Sequence, residues 1–214
     1  MTRIIIMRHG QSLANAERLF AGHSDFDLSE LGHKQAEYGA RYLIKREKID
    51  VIYSSDLLRA YHTACPVARA YDLPIIKDTG LREIYAGDWE SLSLTEISQR
   101  YPNDFAVWRG DYANARPTGG ESTVEVYERV IPHVLELAKK HEGETILLAT
   151  HATVTRAFTA YALGFSAAET GMIPTFPKNA SINIFTYDNG RVSAEETDMT
   201  EHLAGLEEQP DPHA

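Results

Sequence analysis

Two histidines and two arginines fall where an anion would be handled. Arg8 and His9 follow directly on the apolar run Ile4-Ile5-Ile6-Met7, and His151 follows directly on Thr145 to Thr150. Arg59 falls in the first turn of a helix expected after a second apolar run, Ile49 to Tyr53. If these runs are strands of one sheet, all four side chains reach its carboxyl edge, where ligands of open α/β sheets bind. Two guanidinium groups and two imidazoles converging there suit a tetrahedral oxyanion, because the arginine fork matches phosphate oxygens. Backbone N–H groups at the starts of the following helices add further donors.

The elements needed to position these residues are legible. Thr2 to Met7 reads as a buried strand, short and apolar on both faces. Ser29 to Arg46 reads as a helix with Ser29 as N-cap. Ile49 to Tyr53 reads as a strand, and Ser54-Ser55-Asp56 as the cap of a helix reaching Tyr71 and bent at Pro66. Ile75-Ile76 is a short third strand. Residues 79–120 read as an excursion over one end of the sheet, helical around Leu94 to Arg100. Ser122 and Glu125 form a capping box that opens a long helix ending before Gly143, with a bend at Pro132. Thr145 to Thr150 is a strand and Thr153 to Leu163 a helix. Ser181 to Tyr187 is a strand, Asn189-Gly190 a hairpin turn, and Val192 onward pairs back.

Alternating strands and helices predict an α/β fold, a three-layer sandwich with a mostly parallel central sheet and helices on both faces. One domain over residues 1–206 is expected, with 207–214 a disordered tail. The net charge of −10 disfavours nucleic acid and anionic membrane as partners, since both need a basic surface. A single cysteine, Cys65, allows no internal disulfide and fits a reducing cytoplasm. No apolar stretch approaches a membrane span.

The segment Arg8-His9-Gly10-Gln11-Ser12-Leu13-Ala14-Asn15 resembles the RHG signature of the histidine phosphatase superfamily, which includes cofactor-dependent phosphoglycerate mutase. Ser54-Ser55-Asp56-Leu57-Leu58-Arg59-Ala60 is similar to its second-arginine segment, and Leu81 to Glu90 to its acid/base segment. Gly119-Gly120-Glu121-Ser122 and Thr150-His151 match the later motifs in the same order. The resemblance implies a phosphoglycerate mutase-like fold and a phosphoryl group carried covalently on His9. It implies that Arg8, Arg59, His151 and Asn15 orient the phosphoryl oxygens, and that Glu83 protonates the leaving oxygen and then activates water. It needs no metal and no cofactor. Gln11, Gly22, His23 and the Ala152 backbone are further candidates for contacts with substrate. Many relatives carry glycine directly after the second histidine; Ala152 there would be strained if φ were positive.

Blander assignments compete at several positions. Asp88 and Glu90 are carboxylates close to Glu83, and Asn15 could be a turn or cap residue. His62 shares a helical face with Arg59 but reads as structural, as do Cys65, Trp89 and Trp108. Met172, Pro174, Phe176 and Pro177 would make an apolar wall. The segment Gly87-Asp88-Trp89-Glu90 looks more like phosphatases than mutases, and between Glu83 and Gly120 the excursion offers only Arg100, Arg109 and Arg116 for a carboxylated substrate. The expected activity is hydrolysis of small-molecule phosphate monoesters. The alternatives are mutase-type phosphoryl transfer and a silent phosphate-binding protein of the same fold. A metallohydrolase built on His9, His62 and His151 lacks nearby acidic ligands. A homodimer is compatible with everything above.

Overall fold

Ile4, Ile5 and Ile6 have no exposed surface, so the first apolar run is covered from both sides. The computed structural model describes residues 1–174 and 176–206. In chain order its elements are β1 (Thr2–Arg8), α1 (Leu13–Glu17), α2 (Glu30–Arg46), β2 (Val51–Ser54), α3 (Leu58–Tyr71) and β3 (Ile75–Lys77). There follow α4 (Leu94–Arg100), α5 (Pro102–Gly110), α6 (Thr123–Lys140), β4 (Thr145–Thr150), α7 (Ala152–Ala162), β5 (Ile182–Asp188) and β6 (Arg191–Met199). The six strands form one sheet in the order β3-β2-β4-β1-β5-β6. β3, β2, β4 and β1 run parallel, whereas β5 pairs antiparallel with β1, and β6 antiparallel with β5. The sheet is therefore mixed, with its parallel part on the side that carries Arg8, Arg59 and His151.

The alternation of side chains along β1 sends Ile4 and Ile6 to one face and Ile5 and Met7 to the other. On the first face they meet Val126, Val130 and Val134 of α6 and Val154 and Phe158 of α7. On the second they meet Ala40 and Leu43 of α2 and Ala64 and Val67 of α3. Full burial of each of the larger apolar side chains among them contributes about 1.5–3 kcal/mol. This is the expected layering, with helices on both faces of the sheet.

Capping explains most helix starts. Ser29 accepts from Gly32 N–H at 3.1 Å and opens α2. Ser122 and Glu125 form the reciprocal box that opens α6. The expected cap of α3 is different: its N-cap is Leu57, which makes no side-chain cap. Asp25, from a distant loop, accepts from Leu58 N–H at 2.7 Å instead, leaving Ser55 and Asp56 for other partners. α7 starts at Ala152, one residue before the expected Thr153. Two helices were not expected. α1 is a single capped turn closed by Ser12 and Asn15. α5 has no buried residue and hence no apolar stripe to read. The expected tail, residues 207–214, lies outside the described residues. Among the described residues no helix is long and apolar enough to cross a membrane.

Candidate active site

Because β1, β2 and β4 are parallel neighbours, the residues just past their ends meet at one edge. His9 follows β1, Ser55 follows β2 and His151 follows β4. The His9 and His151 rings meet edge to face, with centroids 5.2 Å apart. His9 N–H donates to Thr150 O at 2.8 Å, which ties the two strand ends together. Gly10 is required by the close approach of α2, since a Cβ there would lie 2.5 Å from Gly32 O.

His9 is 4 % exposed, and its Nδ1 lies 2.7 Å from the Gly10 carbonyl. A carbonyl oxygen only accepts, so Nδ1 carries the hydrogen and Nε2 keeps the lone pair. Burial, then the charges of Arg59 and Arg8, hold the ring well below the usual histidine range. A neutral ring with a free Nε2 is the nucleophilic form.

Arg59 is buried at this edge. Its Nη1 and Nη2 donate to the carbonyls of Ser24 at 2.9 Å and Gly22 at 2.7 Å, and its Nε has no partner among the described residues. Burial brings its pKa down to about 10, against the opposing pull of Glu83, and it stays charged at neutral pH. Gly22 suits the loop that supplies these carbonyls. Its φ is +51°, and a Cβ would lie 2.7 Å from Ala86 Cβ and from Glu90 Oε1. Arg8 is likewise buried, and its guanidinium donates to the Pro177 carbonyl.

Glu83 is the carboxylate that lines the cavity beside Arg8, His9 and Arg59; Asp88 and Glu90 do not line it. Its Oε1 accepts from Ile84 N–H at 2.9 Å and from Thr153 N–H at 3.2 Å, at the positive start of α7. Glu90 instead accepts from His23 N–H and Ser24 Oγ, both at 2.8 Å, and braces the loop that holds Arg59. Asp88 is exposed.

The other expected contacts divide. Asn15 and Gly22 line the cavity. Asn15 Oδ1 accepts from Ser12 N–H and from Asn179 Nδ2, both at 3.1 Å. Ala152 also lines the cavity and opens α7; it is absent from the positive-φ residues, so the expected strain does not arise. Gln11, His23 and the wholly buried His151 do not line it. Gln11 Oε1 accepts from Ser29 Oγ at 2.7 Å and its N–H donates to Gln35, which joins this loop to α2. His23 Nε2 donates to the Glu83 carbonyl at 2.8 Å. His62 faces a separate groove with His33 and Cys65 and bonds Asp27 at 2.6 Å.

The cavity's remaining walls are mostly apolar and aromatic, with Leu19, Phe20, Ile84, Trp108, Tyr112 and Phe176 joined by the two threonines Thr123 and Thr153. Trp108 packs on Trp89 and Phe105, as expected, but it also faces the cavity. Of the expected apolar wall only Phe176 lines it, while Met172 is 66 % exposed. The Arg156 guanidinium lies 4.6 Å from the Phe176 ring centroid and 5.3 Å from that of Tyr112. Arg100 pairs with Glu96 and Arg116 with Glu125, and neither these nor Arg109 line the cavity.

Several contributors were not singled out by the sequence, although Ser55 lies within the second-arginine segment. Asn179 donates to the His9 carbonyl at 3.3 Å as well as to Asn15. Arg129 donates to the carbonyls of Arg82 at 2.9 Å and Glu83 at 3.0 Å. Ser55 lies 2.8 Å from His151 Nε2. Asn179 and Arg129 act across 170 and 46 residues, beyond the reach of any local pattern.

A family model of the histidine phosphatase superfamily (branch 1) matches residues 4–199. Phosphoserine phosphatase 1 of Hydrogenobacter thermophilus is 38 % identical over 164 residues, covering 77 % of this chain and 77 % of that protein. Glucosyl-3-phosphoglycerate phosphatase of Mycolicibacterium vanbaalenii is 37 % identical over 169 residues, covering 76 % of this chain and 74 % of its own length. The solved structure of a mycobacterial glucosyl-3-phosphoglycerate phosphatase complexed with VO3 superposes with a TM-score of 0.84 at 33 % identity. That superposition covers 92 % of this chain and 99 % of the other.

Proposed function

The chain belongs to the histidine phosphatase superfamily (branch 1), and from that premise we propose that it hydrolyses small-molecule phosphate monoesters through a phosphohistidine on His9. The observation that carries the proposal is the state of the His9 ring: neutral, its Nδ1–H held by the Gly10 carbonyl, beside two buried guanidinium groups.

Nε2 of His9 attacks phosphorus in line with the leaving oxygen. The P–N bond forms as the P–O bond breaks, and Glu83 hands its proton to the departing alkoxide. Arg8, Arg59, His151 and Asn15 hold the equatorial oxygens, the main electrostatic requirement of phosphoryl transfer. The ionised Glu83 then takes a proton from water, which attacks phosphorus and frees His9 with release of inorganic phosphate. Arginine charge performs the task often given to a metal ion, so turnover needs no added divalent cation.

Hydrolysis is favoured over mutase-type transfer because Arg100 and Arg116 pair with Glu96 and Glu125 and Arg109 does not line the cavity, so none of the arginines between Glu83 and Gly120 lies there to grip a substrate carboxylate. A silent phosphate binder is disfavoured because a carboxylate facing an anion costs affinity unless it moves a proton. The organic part of the ester lies against Trp108, Tyr112 and Phe176. The net charge of −10 and the lone Cys65 fit a cytoplasmic enzyme that acts on neither nucleic acid nor membrane.

The test is a panel of phosphate monoesters incubated with purified protein in excess EDTA, with and without vanadate. Phosphate release that persists in EDTA and is blocked by vanadate is the expected result. Strict dependence on a divalent metal would overturn the proposal.

A further inference from the structure

His151 poses a question that the reaction scheme does not answer. Its ring is wholly buried, and an imidazole serves a phosphoryl oxygen only through a nitrogen that carries hydrogen. Ser55 meets Nε2 at 2.8 Å. The other nitrogen, Nδ1, is buried and has no hydrogen-bond partner among the described residues. The ring, which lies behind the residues that line the cavity, therefore has one nitrogen engaged with protein and one left over, and it meets His9 edge to face and feels the charges of Arg59 and Arg8.

Counting donors and acceptors decides which nitrogen carries the hydrogen. The Ser55 hydroxyl is also wholly buried, and Leu57 N–H approaches its oxygen at 3.4 Å. If the hydroxyl donates to Nε2, then Ser55 Oγ, its hydrogen and Nε2 are all engaged. One group is left over, the Nδ1 hydrogen, and a phosphoryl oxygen is the partner that would satisfy it. If Nε2 instead donates to Ser55, the hydroxyl hydrogen has no acceptor among the described residues. The Nδ1 lone pair is then bare, and it would repel an anion rather than bind it. The first arrangement leaves one orphan and the second leaves two. Burial and the neighbouring charges of Arg59, His9 and Arg8 hold the ring well below the usual histidine range, so the doubly protonated form does not rescue the second arrangement.

We propose that Ser55 is a positioning residue that fixes His151 as its Nδ1–H tautomer, so that Nδ1 donates to the transferring phosphoryl group. The proposal rests on the reading of this site as a phosphatase. Its structural half, the tautomer, can nevertheless be read in the ligand-free protein without any turnover. Ser55 lies 96 residues before His151 in sequence and touches the reaction only through it.

The experiment is nitrogen NMR of 15N-histidine-labelled protein, with the His151 signals identified by their loss in His151→Gln. In the ligand-free wild type, Nδ1 should appear as the protonated nitrogen and Nε2 as the unprotonated one. Adding vanadate should move the Nδ1–H resonance as it gains a partner. Ser55→Ala should mix the two tautomers and lower kcat on the order of 10-fold, less than the 10²–10³-fold typical of deleting a transition-state donor outright. Ser55→Thr, which keeps the hydroxyl, should restore both tautomer and rate. A wild-type ring protonated on Nε2 would overturn the proposal even if the enzyme were an active phosphatase. So would Ser55→Ala with an unchanged tautomer and kcat. If the tautomer is as stated but no ester is hydrolysed, the phosphatase reading fails, and with it the role given to the Nδ1 hydrogen.

Discussion

At the scale of single residues, proximity in sequence and proximity in space part company for the three carboxylates of the 83–90 segment. Glu83 reaches the cavity at the start of α7, Glu90 turns back to hold the loop at residues 22–24, and Asp88 faces solvent. This sharpens the test of the acid. An alkyl phosphate expels a strongly basic oxygen and needs a proton, whereas a p-nitrophenyl ester hardly does. Glu83→Gln should slow phosphorylation of His9 by an alkyl ester on the order of 10²–10⁴-fold. The burst with the p-nitrophenyl ester should be far less affected, and single-turnover kinetics separate the two. Equal losses would remove Glu83 from the acid role. The residues legible from position alone were those next to a strand end or in the first turn after one, whereas Glu83 and Asn15 were legible only through the motif resemblance. Asn179 and Arg129 were not legible, because they act across 170 and 46 residues and resemble any other surface polar residue in a linear reading.

At the scale of elements, the parallel neighbours β2, β4 and β1 do most of the positioning; alternation predicted a mostly parallel sheet, but the order of its strands came from the structure. What the sequence obscured was the covering of the site. α5 buries no residue completely and offers no periodic stripe, yet it contributes Trp108 to the cavity wall. Its aromatic partners, Phe20, Trp89 and Tyr112, come from three other segments. Trp108→Ala should therefore raise KM for an aryl phosphate about 10-fold, equivalent to about 1.4 kcal/mol of lost contact. KM for a small alkyl phosphate should change little, and steady-state kinetics on the pair decide it. The expected cap of α3 failed for a related reason. Ser55 and Asp56 are adequate cap residues by type, but Ser55 meets His151 and Asp56 pairs with Arg82 at 2.5 Å. The loop that supplies Asp25 also supplies the two carbonyls on Arg59. Glu90→Ala removes that loop's brace, and losing hydrogen bonds to a charged group costs about 1.5–3 kcal/mol. It should lower both Tm and vanadate affinity, whereas Glu90→Gln should lower them less. Calorimetry with and without vanadate measures both.

At the scale of the whole molecule, an acidic protein carries a site with two buried arginines and two buried histidines, and its stability should record that arrangement. His9 and His151 are held neutral chiefly by burial, and His202 is lowered by burial as well. Below the usual histidine value of about 6.5 the unfolded chain binds protons that these folded rings refuse, so stability falls as pH falls. His133, raised by Asp78, acts in the opposite sense: its contribution is complete at low pH and is lost as pH rises through its folded value. With three lowered rings against one raised, Tm should drop as pH falls from 7 to 5, and His151→Gln should flatten that drop. A Tm that rose over this range would contradict the burial account. The central claim is the covalent intermediate, and rapid quenching with a 32P-labelled phosphate ester tests it most directly. The account predicts label that is lost in acid, survives base, maps to His9 and is absent from His9→Ala. Label that survives acid on a serine or aspartate, or that persists in His9→Ala, would contradict it.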